Sequence, residues 1–98
     1  MLIEEFVIEH KAVKTYGKMS QPIVAIEELS ELIKELTKCL RCEDNVDHIS
    51  EEMADVYIML DQLRIMFNND GAIAKWKLKK LHRLSERMQQ LHNSGSDK

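Results

Sequence analysis

The scarcity of backbone punctuation constrains this chain most. Only three glycines and one proline interrupt 98 residues, and a sheet joined by many tight turns needs more of both. Long helices are therefore favoured. Apolar residues at Ile3, Phe6, Val7 and Val13 recur at helical rather than alternating spacing, which predicts a helix over about residues 3–16 that stops near Gly17. A second helix is expected over about 21–41, with Ser20 as a cap and Pro22 tolerated in the first turn. Its apolar stripe is Ile23, Ile26, Leu29, Ile33, Leu36 and Leu40. A third spans about 47–68 after the polar linker Glu43-Asp44-Asn45-Val46-Asp47, and a fourth about 72–91 after the stop and restart signal Asn68-Asn69-Asp70-Gly71. Residues from Asn93 to Lys98 read as a flexible tail.

The expectation is a single all-α domain over residues 1–92, a four-helix bundle. A chain this short lies near the lower limit for a self-sufficient core. Its third helix is apolar nearly all the way round, through Val56-Tyr57-Ile58-Met59-Leu60 and Ile65-Met66-Phe67. A helix covered on one side only would not be. A second subunit packing there is the simplest explanation, so the bundle is expected to be completed by oligomerisation into a homodimer or tetramer.

Composition excludes several classes. A hydrophobic content of 44% beside 32% charged residues argues against disorder. The net charge of −3 gives no global attraction to nucleic acid or anionic lipid. No apolar run approaches the roughly 20 residues needed to cross a bilayer. The opening residues Met1-Leu2-Ile3-Glu4-Glu5 carry acids where a secretory signal would carry bases. The chain reads as cytoplasmic, in a cell's own cytoplasm or in one borrowed by a phage. Cys39 and Cys42 form a C-x-x-C, but no second such pair completes a zinc site. No strand precedes it as in redox motifs, and His48 would be a third ligand without a fourth. Two reduced, partly buried thiols at a helix end are expected.

The acidic residues carry the chemistry. Glu27-Glu28-Leu29-Ser30-Glu31 on the second helix and Glu51-Glu52-Met53-Ala54-Asp55 on the third repeat one pattern: an acidic pair, two residues, then an acid. Residues i and i+3 share a helix face, so Glu28 with Glu31, and Glu52 with Asp55, each form a two-carboxylate ledge. Two carboxylates ~5 Å apart at an effective dielectric of ~20 repel by about 3 kcal/mol. Four together must raise their pKa values, splay into solvent, or bind a cation. Hard oxygen ligands suit Mg²⁺, with Mn²⁺ as the alternative. Solvated helix faces also carry glutamates, and one E-x-x-E alone means nothing. Here the ledge recurs on consecutive helices beside apolar residues, and the positions four beyond its acids are Leu32, Glu35, Val56 and Met59 rather than bases. Only Lys34 offers a local partner, to Glu31.

Tyr16-Gly17, Gln21 and the two acidic runs, from Glu27 to Leu32 and from Glu51 to Val56, resemble the E-x-x-E … E-x-x-D signature of MazG-like nucleotide pyrophosphohydrolases. The resemblance extends over about residues 12–67, more weakly into Lys80-Leu81-His82-Arg83-Leu84. It implies an all-α hydrolase that converts an NTP or dNTP to the monophosphate and pyrophosphate. The metal ligands it implies, also the catalytic residues, are Glu28, Glu31, Glu52 and Asp55. Mg²⁺ would bridge substrate phosphates and orient the attacking water. Glu27 or Glu51 would be the candidate base, although helical phase turns each about 100° from its ledge neighbour.

Six of the nine residues Lys75-Trp76-Lys77-Leu78-Lys79-Lys80-Leu81-His82-Arg83 are basic or can become so. The resemblance assigns Lys79 and Arg83, with Lys80 as a substitute, to the triphosphate; a solvated outer face is the bland reading. One basic helix in a net-acidic chain makes nucleic acid a poor fit. Trp76 is expected in packing. For the base, the same resemblance points to His10, Lys14, Tyr16 and Gln21. Gln21 could read a base edge or cap the second helix, and His10 reads as a core histidine. Competing functions are a non-catalytic helical interaction or regulatory module and a phosphoribosyl-ATP pyrophosphohydrolase-type enzyme. A di-iron bundle is disfavoured because no Glu-x-x-His occurs.

Overall fold

The computed structural model describes residues 2–96. Every regular element among them is helical: α1 is Ile3–Leu40, α2 is Val46–Phe67 and α3 is Asp70–Ser96. The all-α expectation holds. The four expected helical segments are present, the first two joined as α1 and divided at Gly17.

That division has a backbone cause. Gly17 adopts φ 77°, ψ −175°, a region open essentially to glycine alone. Four residues on, the buried Gln21 side chain donates from Nε2 to the carbonyl of Ala12 at 3.4 Å. In an unbroken helix these residues would lie about 13 Å apart along the axis, beyond side-chain reach. The chain therefore folds back at Gly17, and α1 behaves as two helical halves.

The end of α1 is a Schellman motif. The Cys42 N–H donates to Cys39 O at 2.9 Å and the Glu43 N–H to Lys38 O at 3.3 Å, which satisfies the last carbonyls. Cys42 takes the left-handed position usually given to glycine, with φ 63°. Both cysteines are free and exposed, which corrects the expected partial burial: the turn that ends the helix leaves them facing solvent.

Asn68, with φ 51° and ψ 48°, makes the left-handed turn that ends α2; asparagine tolerates this conformation better than most residues. Because Asn68 supplies the turn, Gly71 is free to lie inside α3. The helix continues through residues 93–96, where a tail was expected, since extending a formed helix is far easier than starting one. Residues 97 and 98 of that expected tail lie outside the described residues.

The chain divides into two compact units, Met1–Asn68 and Asn69–Lys98. In the first, α1 packs on α2. Glu35 meets Asn45 and Glu28 meets Asp55, so the C-terminal half of α1 runs antiparallel to α2. Glu9, in the N-terminal half, reaches Gln62 near the far end of α2. The seam is narrow. Ala25 and Met59 are its buried apolar side chains, while Tyr57 and Phe67 are 66% and 60% exposed, leaving much of the apolar surface of α2 uncovered. The second unit is α3, with Ile73, Trp76, Leu81, Leu84, Met88 and Leu91 all exposed. The units differ in charge: residues 1–68 hold fourteen acids against seven lysines and arginines, and residues 69–98 hold three against seven. Among the described residues, no helix is long and apolar enough to cross a membrane.

Candidate metal centre

The centre forms where the seam is tightest. Along the C-terminal half of α1 the more buried positions include Gln21, Ala25, Glu28, Leu32 and Glu35; along α2 they include Glu52, Asp55, Val56, Met59 and Gln62. Each stripe follows helical spacing. The small Ala25 side chain lets the helices approach, and Met59 fills the space beside it. One turn away, Glu28 (three after Ala25) and Asp55 (four before Met59) must enter the same seam, and Glu52 follows Asp55 by one further turn.

As a result, one carboxylate oxygen from each of Glu28, Glu52 and Asp55 lies within 4.8 Å of the others, and all three side chains are half-buried. Partial burial raises the Glu28 carboxyl above its ordinary value, helped by the charge of Asp55, a hydrogen bond with it, and the charges of Glu52 and Glu27. Burial also raises Glu52, followed by the charges of Asp55, Glu31, Glu51 and Glu35. Local cations do not relieve the crowding. Ion pairs among the described residues join Lys38 to Glu35 at 3.1 Å, Arg41 to Glu43 at 3.6 Å and Arg64 to Asp61 at 2.9 Å. None involves the trio.

The donor set fits a small hard cation. Oxygen ligands at about 2.1 Å from an octahedral Mg²⁺ stand about 3.0 Å apart when adjacent and about 4.2 Å when opposite, a scale comparable with the 4.8 Å within which the three oxygens lie.

Glu31, the fourth expected ligand, is exposed and outside the trio. It sits one position short of Leu32 on the seam, so its carboxylate flanks the centre, close enough for its charge to raise Glu52. Glu27 and Glu51 are exposed, as their helical phase implies. Gln21 does not join the carboxylates: it is buried and tied to Ala12 across the break, with Oε1 lacking a partner. Lys79, Lys80 and Arg83 are exposed on α3. The Lys79 ammonium sits 5.3 Å from the Trp76 ring centre, and Trp76 is itself 53% exposed. His10 packs on Phe6, with ring centres 4.0 Å apart.

Two polar features were not singled out from sequence. Asn45 does not cap α2 with its side chain; Nδ2 donates at 2.8 Å to both the backbone carbonyl and Oε2 of Glu35. That bond, then Lys38, holds the Glu35 carboxyl below its ordinary value, so Glu35 fastens the helices together rather than joining the trio. The second is Glu9, only 5% exposed. Gln62 Nε2 donates to its Oε1 at 3.1 Å, while the buried Oε2 lacks a donor. A cavity of about 300 Å³ beside it is lined by Glu5, Ile8, Glu9, Ile58, Asp61 and Gln62. The signal was available: Glu9 falls between Phe6 and Val13 at core spacing on the first helix.

No protein-family model matches this chain, and no curated protein or solved structure matches it.

Proposed function

We propose that this chain is a Mg²⁺-dependent nucleoside triphosphate pyrophosphohydrolase, acting on the α–β phosphoanhydride of an NTP or dNTP. The observation that carries the reading is the convergence of Glu28, Glu52 and Asp55 without a neutralising base. The doubled acidic motif and its resemblance to MazG-like enzymes support it. In this reading the trio holds the ion, and Glu31, flanking it, rotates in to complete the set. The bound ion supplies charge neutralisation at the phosphates and a more acidic water. Water oxygen bonds to the α-phosphorus, the bridging oxygen leaves with pyrophosphate, and the water's proton passes to solvent or to an unligated carboxylate. Lys79, Lys80 and Arg83 are the cations offered to the substrate phosphates, and Mn²⁺ would substitute for Mg²⁺.

The same reading includes a homodimer or tetramer, supported by the uncovered apolar surfaces of α2 and α3. Exposed patches of this extent mark association sites.

Purified protein incubated with a panel of NTPs and dNTPs plus Mg²⁺ is expected to release pyrophosphate. Glu52→Gln should lower turnover at least a hundredfold while leaving helicity intact, because a lost ligand costs more than the ten- to hundredfold typical of outer-shell changes. Orthophosphate as the sole product, or full activity in that variant, would remove the assignment. Light scattering after size-exclusion chromatography reads the assembly; a monomer at micromolar concentration would remove the oligomer.

A further inference from the structure

The Glu9 carboxyl poses a separate problem from the metal centre. It is almost wholly buried, and one oxygen is satisfied by Gln62. The other is sealed from solvent and lacks a donor. A buried, ionised, half-satisfied carboxylate carries a heavy desolvation penalty. Its neighbours add to that penalty: Asp61 on α2 and Glu5 on α1 are both acidic, and the one base nearby on α2, Arg64, is engaged with Asp61 at 2.9 Å. No protein donor reaches the sealed oxygen. The remaining source of a donor is a proton on Glu9 itself.

We propose that Glu9 carries a proton that it donates to Asp61, and that this carboxyl–carboxylate bond is a pH-sensitive clasp holding the N-terminal half of α1 against α2. In this arrangement the Gln62 amide donates to Glu9, Glu9 donates to Asp61, and Asp61 also accepts from Arg64. Burial first, then the charges of Asp61 and Glu5, raise Glu9 above its ordinary value, and the Gln62 hydrogen bond only partly opposes them.

The sign follows from linkage. The docked arm binds a proton that the undocked arm releases near the ordinary value of 4.5. The clasp is therefore fully made below about pH 4.5 and is progressively lost as pH rises through the raised value. Gly17 is the place where the arm can pivot, since its backbone already departs from the helix there. On release, residues 3–16 undock and the cavity beside Glu9 opens, while Glu28, Glu52 and Asp55, all beyond the pivot, stay packed.

Two measurements on the full chain test this. Carbon-detected NMR titration of the Glu9 carboxyl should give a midpoint above the ordinary value of 4.5. Amide hydrogen exchange, normalised to unstructured-chain rates, should show protection of residues 3–16 falling by up to tenfold per pH unit between about pH 4.5 and that midpoint and levelling off above it, with α2 protection unchanged. In Glu9→Gln, whose side-chain amide can donate to Asp61 at every pH, protection of the arm should no longer vary with pH. A Glu9 midpoint at or below 4.5, or the same pH dependence in wild type and variant, would overturn the clasp. If Glu9→Gln does not fold, the wild-type titration decides alone.

Discussion

The seam between α1 and α2 carries two groups of carboxylates, and they resolve their crowding in opposite ways. Glu28, Glu52 and Asp55 are half-buried, contacted by solvent and unaccompanied by bases. Glu9 is almost wholly buried and Asp61 half-buried, and each has a partner, in Gln62 and Arg64. The first group has no partner base, which is what the proposed cation would supply; the second is balanced from within by Gln62 and Arg64. The partners beside the acids separate the two groups more clearly than the number of acids does.

The comparison breaks or sharpens under four further measurements. The largest expected effect is from Mg²⁺ itself. At a hundred times its dissociation constant a ligand specific for the folded state stabilises by about 2.7 kcal/mol, so thermal unfolding at pH 7.5 should shift upward by roughly ten to twenty degrees for a chain of this size. Asp55→Asn should abolish most of that shift, whereas Glu9→Gln should leave it intact. A shift that survives Asp55→Asn would erase the distinction between the two groups.

Next is Gln62→Leu, which strips Glu9 of its donor at a buried position. A loss of about 2 kcal/mol is expected in denaturant unfolding, with the Mg²⁺-induced shift unchanged. Asn45→Ala removes both bonds to Glu35 at the other end of the seam and should cost about 1 kcal/mol. It should also raise the Glu35 carboxyl toward its ordinary value, readable by NMR. The smallest effect lies outside both groups. Cys42→Gly relieves a left-handed residue and should raise stability by about 0.5–1 kcal/mol, with no change in metal response.

Much of the fold was readable because its signals are local. Helical spacing of apolar residues, the glycine at 17 and the asparagine at 68 locate the segment ends. The ledge of Glu52 with Asp55 was readable from i, i+3 geometry, and its meeting with Glu28 followed once the two helices were taken as antiparallel neighbours. The place of Glu31 was not, because the phase of the seam is set by which residues, Ala25 and Met59 among them, are buried between the helices, a long-range fact. Glu9 was overlooked for a different reason: a glutamate ordinarily marks the solvent side of a helix, and its partner lies 53 residues away. Cys42 in a left-handed turn gave no warning, since glycine normally fills that position. Gly71 misled in the opposite sense, suggesting an interruption that Asn68 had already provided.

Gly17 gives the molecule modularity at the level of one Cβ. A side chain there would disfavour the extended, positive-φ backbone and bias residues 3–40 toward one continuous rod about 57 Å long. Glu9 would then be carried away from Gln62, yet every member of the carboxylate trio lies downstream and would keep its neighbours. A single substitution could thus uncouple the two halves of the seam, letting the lock be lost without dismantling the centre it adjoins.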